Sequence, residues 1–175
     1  QKSCGQCPYL RRPGPKDLSY HIWQKKKEMF SPGIQFVTCS EWLADEARSS
    51  GLLKDYPVSS IPNPIDTGVF QPLSAPDRAA FRQAKGIAPN AVLILFAAMK
   101  VKEKRKGFHY LLDALYRLKS AHLDLQVELL VLGQSDREEL EALPYPFHAL
   151  GMVREVSQLV TAYGAADIFV IPSLE

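Results

Sequence analysis

The pattern of apolar and polar residues becomes regular from residue 91 onward. Apolar runs in this part lack the strict alternation of a strand with one exposed face, which is typical of strands buried on both faces. The predicted strands cover residues 92–97, 125–132, 147–150 and 167–171. Single helices are predicted between them, at residues 108–118, 135–143 and 156–163. The second of these helices opens with a capping-box pattern of Ser135 and Glu138. This alternation predicts an α/β fold, a Rossmann-like parallel sheet with right-handed crossovers and helices on both faces.

The residues before position 70 follow a shorter and less regular pattern. The predicted elements are helices at residues 20–30 and 41–50, the latter capped by Ser40, and short strands at residues 34–38 and 58–61. Pro62 and Pro64 keep the next segment extended, because each proline moves its predecessor out of helical conformation. A connector with one short helix, near residues 77–85, then leads into the regular part.

A basic segment lies where the first long strand passes into its helix. Lysines and one arginine occupy five of the seven positions from Lys100 to Lys106. A buried strand, a basic loop and a helix N-terminus in this order predict an anion site, because free backbone N–H groups and the helix dipole point at the ligand. The alternative is a solvated run of charge on a surface loop.

The composition sets limits on the class of protein. The chain has 175 residues, of which 46% are hydrophobic and 23% charged, as expected for a globular protein. The net charge of +2 is too small to predict nucleic-acid binding from bulk electrostatics. No apolar run approaches the roughly 20 residues that cross a bilayer, no signal peptide is recognised, and three cysteines do not make a disulfide framework. The predicted compartment is the cytoplasm.

The second predicted strand ends at Gly133, but the dinucleotide fingerprint of spaced glycines is absent there. An NAD-dependent enzyme is therefore not favoured. Six short motifs do occur in the order and spacing of one family. They are Ile61-Pro-Asn-Pro-Ile-Asp66 with Val69-Phe-Gln-Pro72, Arg105-Lys-Gly-Phe108 with Leu111-Leu112, Val131-Leu-Gly133, Leu150-Gly-Met-Val153, Tyr163-Gly-Ala-Ala-Asp167, and Val170-Ile-Pro-Ser173.

With these motifs, the chain resembles the GT-B glycosyltransferases of the large retaining group called family 4 or group 1. The resemblance implies that residues 67–175 belong to the C-terminal donor domain, which binds a nucleoside-diphosphate sugar. It implies that residues 1–66 are the tail of the N-terminal acceptor domain and a linker. The implied acceptor is a glycan or a lipid-linked glycan, and the implied process is bacterial cell-surface polysaccharide or glycolipid assembly.

The resemblance also implies the donor-site residues. Lys106 matches the lysine that pairs with the donor diphosphate, and Lys100 stands where the family usually has an arginine. Gly133 matches a glycine that lets the nucleotide approach the backbone. The full implied set is Lys100, Arg105, Lys106, Gly107, Gly133, Met152 and Val153, the last two facing the base. We expect no cofactor other than the donor substrate and no metal.

No catalytic residue is assigned, because the first of two glutamates that the family places after its Pro-Ser motif would fall at position 176. We therefore expect the 175 residues to be part of a longer enzyme. On their own, we expect them to bind a nucleotide weakly, to transfer no sugar, and to self-associate through unpaired strand edges.

Three alternatives stay open. Cys4 and Cys7 have the spacing of half a zinc site, which other residues would have to complete. Lys25–Lys27 could contact anionic lipid at the inner membrane face, or form a solvated helix face. The chain could also be a non-catalytic module that binds phosphate, nucleotide or RNA. Against RNA, Phe108 and Tyr110 lie at helix positions and offer no platform for stacked bases.

Overall fold

The structure is a computed structural model that describes residues 4–101 and 103–174. Lys102, one cation of the predicted basic loop, lies outside the described residues. The chain divides into two compact units, Gln1–Ile65 and Asp66–Glu175.

The first unit contains two helices and a small parallel sheet. Its elements are α1 (Leu18–Met29), β1 (Phe36–Thr38), α2 (Glu41–Ser49) and β2 (Val58–Ser60). The strands pair in parallel from Phe36 opposite Val58 to Thr38 opposite Ser60. An aromatic cluster of Phe30, Phe36 and Tyr56, with ring centroids 5.3–6.0 Å apart, packs beside this sheet. All four elements were predicted, with ends that differ by up to two residues.

The second unit is a four-stranded parallel sheet with helices on both faces. Its elements are α3 (Ala75–Ala84), β3 (Val92–Lys100), α4 (Phe108–Ala121), β4 (Val127–Gln134), α5 (Arg137–Glu141), β5 (Phe147–Gly151), α6 (Val156–Ala165) and β6 (Ile168–Val170), with a 3-10 turn at Lys104–Lys106. The strand order is β5-β4-β3-β6, and every neighbouring pair is parallel. The predicted Rossmann-like α/β fold is confirmed.

The central strand β3 is apolar from Val92 to Met99 because its side chains contribute to two cores, one on each face of the sheet. On one face, Ile94 and Phe96 pack with Leu111 and Leu115 of α4. On the other face, Leu93 and Leu95 pack with residues that include Ala162 and Ala165 of α6. Alternate side chains of a strand point to opposite faces, so helices on both faces require a continuous apolar run. This is the reason that the strand shows no alternation in sequence.

Several element ends differ from the prediction. Strand β3 runs to Lys100, three residues beyond the predicted end, with a break in its register against β4 between Ala97 and Lys100. Helix α5 is capped by Asp136 and Glu139 rather than by Ser135 and Glu138, and it ends at residue 141. The same capping chemistry therefore acts one residue later than the motif suggested.

The amino edge of the sheet holds a network of ionic groups, of which Arg82 is buried and the others are partly exposed. The Leu93 N–H and Arg82 Nη1 donate to Asp167 Oδ2 over 2.8 and 3.1 Å, and Arg78 pairs with the other carboxylate oxygen. Arg82 is only 8% exposed and also donates to the carbonyl of Ala91. Asp167, part of one family motif, thus joins β3, β6 and α3 at the edge opposite the predicted anion site.

These contacts change the titration of Asp167. Burial raises its pKa, but hydrogen bonds from Leu93 and Arg82 and the charge of Arg78 outweigh burial and hold the pKa below its ordinary value of 3.8. A carboxyl group with a lowered pKa stabilises the fold above the pKa of the unfolded chain. This contribution is lost as the pH falls through the pKa of the folded state.

We predict that Asp167→Asn lowers the free energy of unfolding by about 2 kcal/mol at pH 7, because Arg82 stays buried without its charged partner. We place the loss below that of a fully buried pair because solvent partly screens the Asp167 side chain, which is 35% exposed. The difference between variant and wild type should shrink as the pH falls below about 4. Urea unfolding followed by far-UV circular dichroism measures both effects.

Asp113→Asn is the matched control for this variant. Asp113 pairs with Arg117 at 2.9 Å across one helical turn, but both side chains are exposed. Its loss should cost less than about 0.5 kcal/mol at any pH. If both variants lower the free energy of unfolding equally, the Asp167 network stabilises the fold no more than an exposed ion pair does.

Candidate anion-binding site

The chain reverses its direction across the sheet at β3, which is where an open α/β sheet is expected to have a crevice. From β3 the chain moves to β4 and β5 on one side, and it then returns to place β6 on the other side of β3. In open α/β sheets, ligands bind outside the carboxyl ends of the strands where the order reverses. In this unit, that position is between the loop after β3 and the segment after β6.

The basic segment forms a tight turn that leads directly into α4. The Lys106 N–H donates to the Glu103 carbonyl at 2.8 Å, and the Gly107 N–H donates to the Lys104 carbonyl at 3.1 Å. Gly107 then caps the helix, and its carbonyl accepts from Tyr110 N at 2.9 Å. The first N–H groups of an α-helix have no partner within the helix and carry the positive end of its dipole. Lys106 therefore adds its charge next to a helix N-terminus.

Gly107 holds this turn against the segment after β6. It has φ +70°, and a Cβ atom at this position would lie 1.9 Å from the Pro172 carbonyl oxygen. The Leu174 N–H also donates to the Arg105 carbonyl at 2.9 Å. Backbone contacts thus tie together the two loops that border the crevice. The sequence predicted a role for Gly107, but not the contact with Pro172, which brings together residues 65 positions apart.

Gly133 is required by the packing of β4 against β3. It has φ +121°, and a Cβ atom there would lie 1.6 Å from the Ala98 carbonyl oxygen, where β3 is irregular. The resemblance implies that this glycine gives a nucleotide access to the backbone. The structure gives a second reason for glycine, because the neighbouring strand occupies the space where a Cβ atom would lie.

The predicted cations differ in their surroundings. Lys100, at the end of β3, is exposed, whereas Lys106 is half-buried beside Gly107. The Arg105 guanidinium is paired with Glu103, with Nε 3.0 Å from Oε1. Sequence reasoning missed this pair, although an acid two residues before an arginine in a basic run is a visible signal. Of the predicted site cations that the structure describes, Lys100 and Lys106 thus have no acidic partner.

Met152 and Val153 follow β5, which is two strands away from β3. Met152 is exposed, and Val153 lines a pocket of about 380 Å³ on the sheet face covered by α3 and α6. Phe81 and Lys85 of α3 line the same pocket. Nothing in the local sequence links α3 to the turn after β5, so this pocket could not be predicted.

The cysteine pair of the first unit lies in a turn that Asp17 organises. Asp17 accepts hydrogen bonds from the N–H groups of Cys7, Gly14, Ser19 and Tyr20. Cys4 and Cys7 are free and half-buried. Within residues 4–101 and 103–174, no group of three or more His, Cys, Asp or Glu side chains is placed to hold a metal ion. The helices of this described part are all too short or too polar to span a bilayer.

The second unit is thus an α/β domain in which a basic turn and a helix N-terminus lie at the carboxyl edge of the sheet. Residues 91–175 match the family described as "Glycosyl transferases group 1". This part of the chain is thus similar to group 1 glycosyl transferases, and the second unit has the α/β fold of GT-B glycosyltransferases.

Solved structures share this fold at low sequence identity. A glycosyltransferase from Rickettsia africae ESF-5 is 17% identical with a TM-score of 0.70, and it matches 91% of this chain and 43% of its own. WaaG, a glycosyltransferase involved in lipopolysaccharide biosynthesis, is 21% identical with a TM-score of 0.59, over 90% of this chain and 43% of its own.

HepE from Anabaena, solved in complex with UDP and glucose, is 20% identical with a TM-score of 0.54, over 76% of this chain and 36% of its own. The chain therefore spans less than half the length of each of these three proteins. Comparison with curated proteins gives no significant match.

Two glycines with the same backbone conformation provide a test of the Gly107 contact. Gly86 also has φ +70°, but a Cβ atom there would meet nothing within 4 Å. We predict that Gly86→Ala costs about 1 kcal/mol, the strain of a left-handed alanine. Gly107→Ala should cost about 2 kcal/mol more, because its Cβ atom meets the Pro172 backbone. Urea unfolding of both variants measures the difference, and equal costs would contradict the close packing of the two loops.

Proposed function

We propose that the second unit is the donor domain of a retaining glycosyltransferase, which binds a nucleoside-diphosphate sugar at the carboxyl edge of its sheet. The observation that carries this proposal is the basic turn at the N-terminus of α4, which lies at the switch point of a group 1 glycosyl transferase domain. The UDP and glucose in the HepE complex support a nucleotide sugar as the ligand.

The geometry suits a diphosphate leaving group. As the bond to the sugar breaks, negative charge develops on the diphosphate oxygens, and fixed donors and cations nearby lower the energy of that state. The α4 N-terminus supplies backbone N–H groups, and Lys106 supplies a charge from a half-buried position. Lys100 is placed to add a second charge from the end of β3. Arg105 contributes only after it leaves Glu103.

The finer parts of the proposal concern the whole enzyme. We assign the first unit to the acceptor domain and the second to the donor domain, with a glycan or lipid-linked glycan as acceptor. The process is bacterial cell-surface polysaccharide or glycolipid assembly at the cytoplasmic face of the inner membrane, and the involvement of WaaG in lipopolysaccharide biosynthesis supports it. Because we assign no catalytic residue within these 175 residues, we expect them to bind donor without transferring sugar.

We also propose that the isolated chain self-associates. Strand β6 has a single described neighbour in the sheet, and its Ile168 and Phe169 are 47% and 41% exposed. An exposed apolar edge strand favours pairing between molecules.

A second candidate function is a non-catalytic module for a phosphate-bearing partner such as RNA. One observation favours it. Tyr110 in the first turn of α4 is 50% exposed and its ring centroid lies 4.0 Å from that of His109, beside the basic turn. An exposed aromatic pair next to cations can stack an unpaired base.

Titration with UDP, GDP and ADP, beside a single-stranded oligonucleotide, separates the two functions. We predict that Lys106→Ala weakens binding of the preferred nucleotide roughly 10- to 100-fold, since a charge-assisted contact is worth about 1.5–3 kcal/mol. Lys104→Ala and Lys102→Ala should have smaller effects, because only Lys106 adjoins the helix N-terminus. Calorimetry at one fixed ionic strength measures the affinities.

Equal losses at all three lysines would show a diffuse charged patch and count against a defined diphosphate site. Tighter binding of the oligonucleotide than of any nucleotide, lost with Tyr110→Ala, would favour the RNA-binding module instead.

A further inference from the structure

A single carboxylate lies in the middle of the basic turn. Glu103 is the only acidic residue between positions 78 and 112, a stretch that holds eight lysines and arginines. Its Oε1 accepts a hydrogen bond from Arg105 Nε at 3.0 Å and another from Arg105 Nη2. The carboxylate makes no capping hydrogen bond to the 3-10 turn that follows it. Its described partner is therefore the Arg105 side chain and not the backbone of the turn.

The backbone around this ion pair is fixed on both sides. The Glu103 N–H donates to the Lys100 carbonyl at 3.2 Å, and the Glu103 carbonyl accepts from Lys106 N at 2.8 Å. The Arg105 carbonyl accepts from Leu174 N at 2.9 Å. The Arg105 side chain, in contrast, is 67% exposed. Rotation of this side chain alone can therefore take the guanidinium away from Glu103 while the turn keeps its shape.

The guanidinium of Arg105 can exchange its carboxylate for a phosphate. Arginine binds both groups through the same planar set of N–H donors, so Glu103 occupies donors that a phosphate would use. An exposed ion pair contributes at most about 5-fold to an equilibrium constant. A phosphate with two negative charges attracts the guanidinium more strongly than a carboxylate with one. A phosphate that reaches Arg105 can thus displace Glu103.

The place of Arg105 in the turn determines which ligands can cause this exchange. A phosphate at the N-terminus of α4 is held by backbone N–H groups and by Lys106. Arg105 precedes Lys106 and is one residue further from the helix. A monophosphate at the helix can therefore leave Arg105 with Glu103. A diphosphate has a second anionic group, which is available to the guanidinium.

We propose that Glu103 is a specificity-determining residue, which holds Arg105 in the empty site and releases it only to the second phosphate of a diphosphate. Glu103 thereby weakens the binding of diphosphates without acting on monophosphates, and it binds Arg105 again when a diphosphate product leaves. This inference rests on the proposed function, and it adds a competing internal anion to the proposed donor site.

Calorimetric titration of the 175-residue chain at one fixed ionic strength tests this proposal. UDP is compared with UMP, and pyrophosphate is compared with phosphate, because the second pair contains no base. We expect Glu103→Gln to bind UDP and pyrophosphate about 5-fold more tightly than the wild type, since the competing ion pair is lost. The affinities for UMP and phosphate should change by less than roughly 2-fold.

Two further variants show whether the effect passes through Arg105. Arg105→Gln should bind UDP about 5-fold more weakly than the wild type, and adding Glu103→Gln to it should cause no further change. Glu139→Gln is the matched control. Glu139 lines the same pocket of about 450 Å³ as Glu103, but its carboxylate accepts from Asp136 N. This variant should bind all four ligands like the wild type, and circular dichroism must show that every variant is folded.

Equal tightening for UDP and UMP would overturn the proposal, because Glu103 would then act on any anion through its charge alone. So would tightening that persists in the Arg105→Gln background or that Glu139→Gln also produces. If the wild type binds UDP and pyrophosphate but Glu103→Gln changes neither affinity, the inference fails and the proposed function stands. If the wild type and all variants bind neither pyrophosphate nor any of UDP, GDP and ADP, both fail.

Discussion

The pairing of β3 with β4 on one side and β6 on the other is the interaction on which the second unit depends. Side chains on both faces of β3 are buried, so each face needs a layer of helices, and the chain must cross the sheet in both directions to provide them. This reversal puts the switch point of the sheet beside β3. The same strand order that buries the core therefore also sets the position at which we propose that an anionic ligand binds.

The charged groups at the two edges of this sheet have different roles. At the amino edge, the Asp167 carboxylate binds the Leu93 N–H and the two arginines of α3, and this network holds β6 against β3. At the carboxyl edge, backbone contacts at Gly107 and Gly133 bring the loops close together while Lys100 and Lys106 stay without an acidic partner. Stabilising charges are thus paired and partly buried, and the charges proposed to bind a diphosphate are left available to it.

The first unit adds a different use of charge. Its cations gather around an apolar helix face, whereas the second unit concentrates them in one turn at a helix N-terminus. A diphosphate is small and is held by a few donors in fixed positions, which suits the turn of the second unit.

The sequence by itself determined the order and type of the elements, because apolar periodicity and capping residues are local signals that the folded chain keeps. It also predicted the basic turn before α4, since a strand, a loop and a helix that follow one another must stay adjacent in space.

Contacts between distant residues were decided only by the tertiary structure. Asp167 was visible as part of a motif, but its binding to Arg82 depends on how α3 packs against the sheet. For Gly133, the resemblance implies a role toward a ligand, and the tertiary structure adds a packing reason for glycine, because the Ala98 carbonyl fills the space where a Cβ atom would lie. The contact of Gly107 with Pro172 likewise depends on the return of the chain to β6, a step that no local pattern encodes.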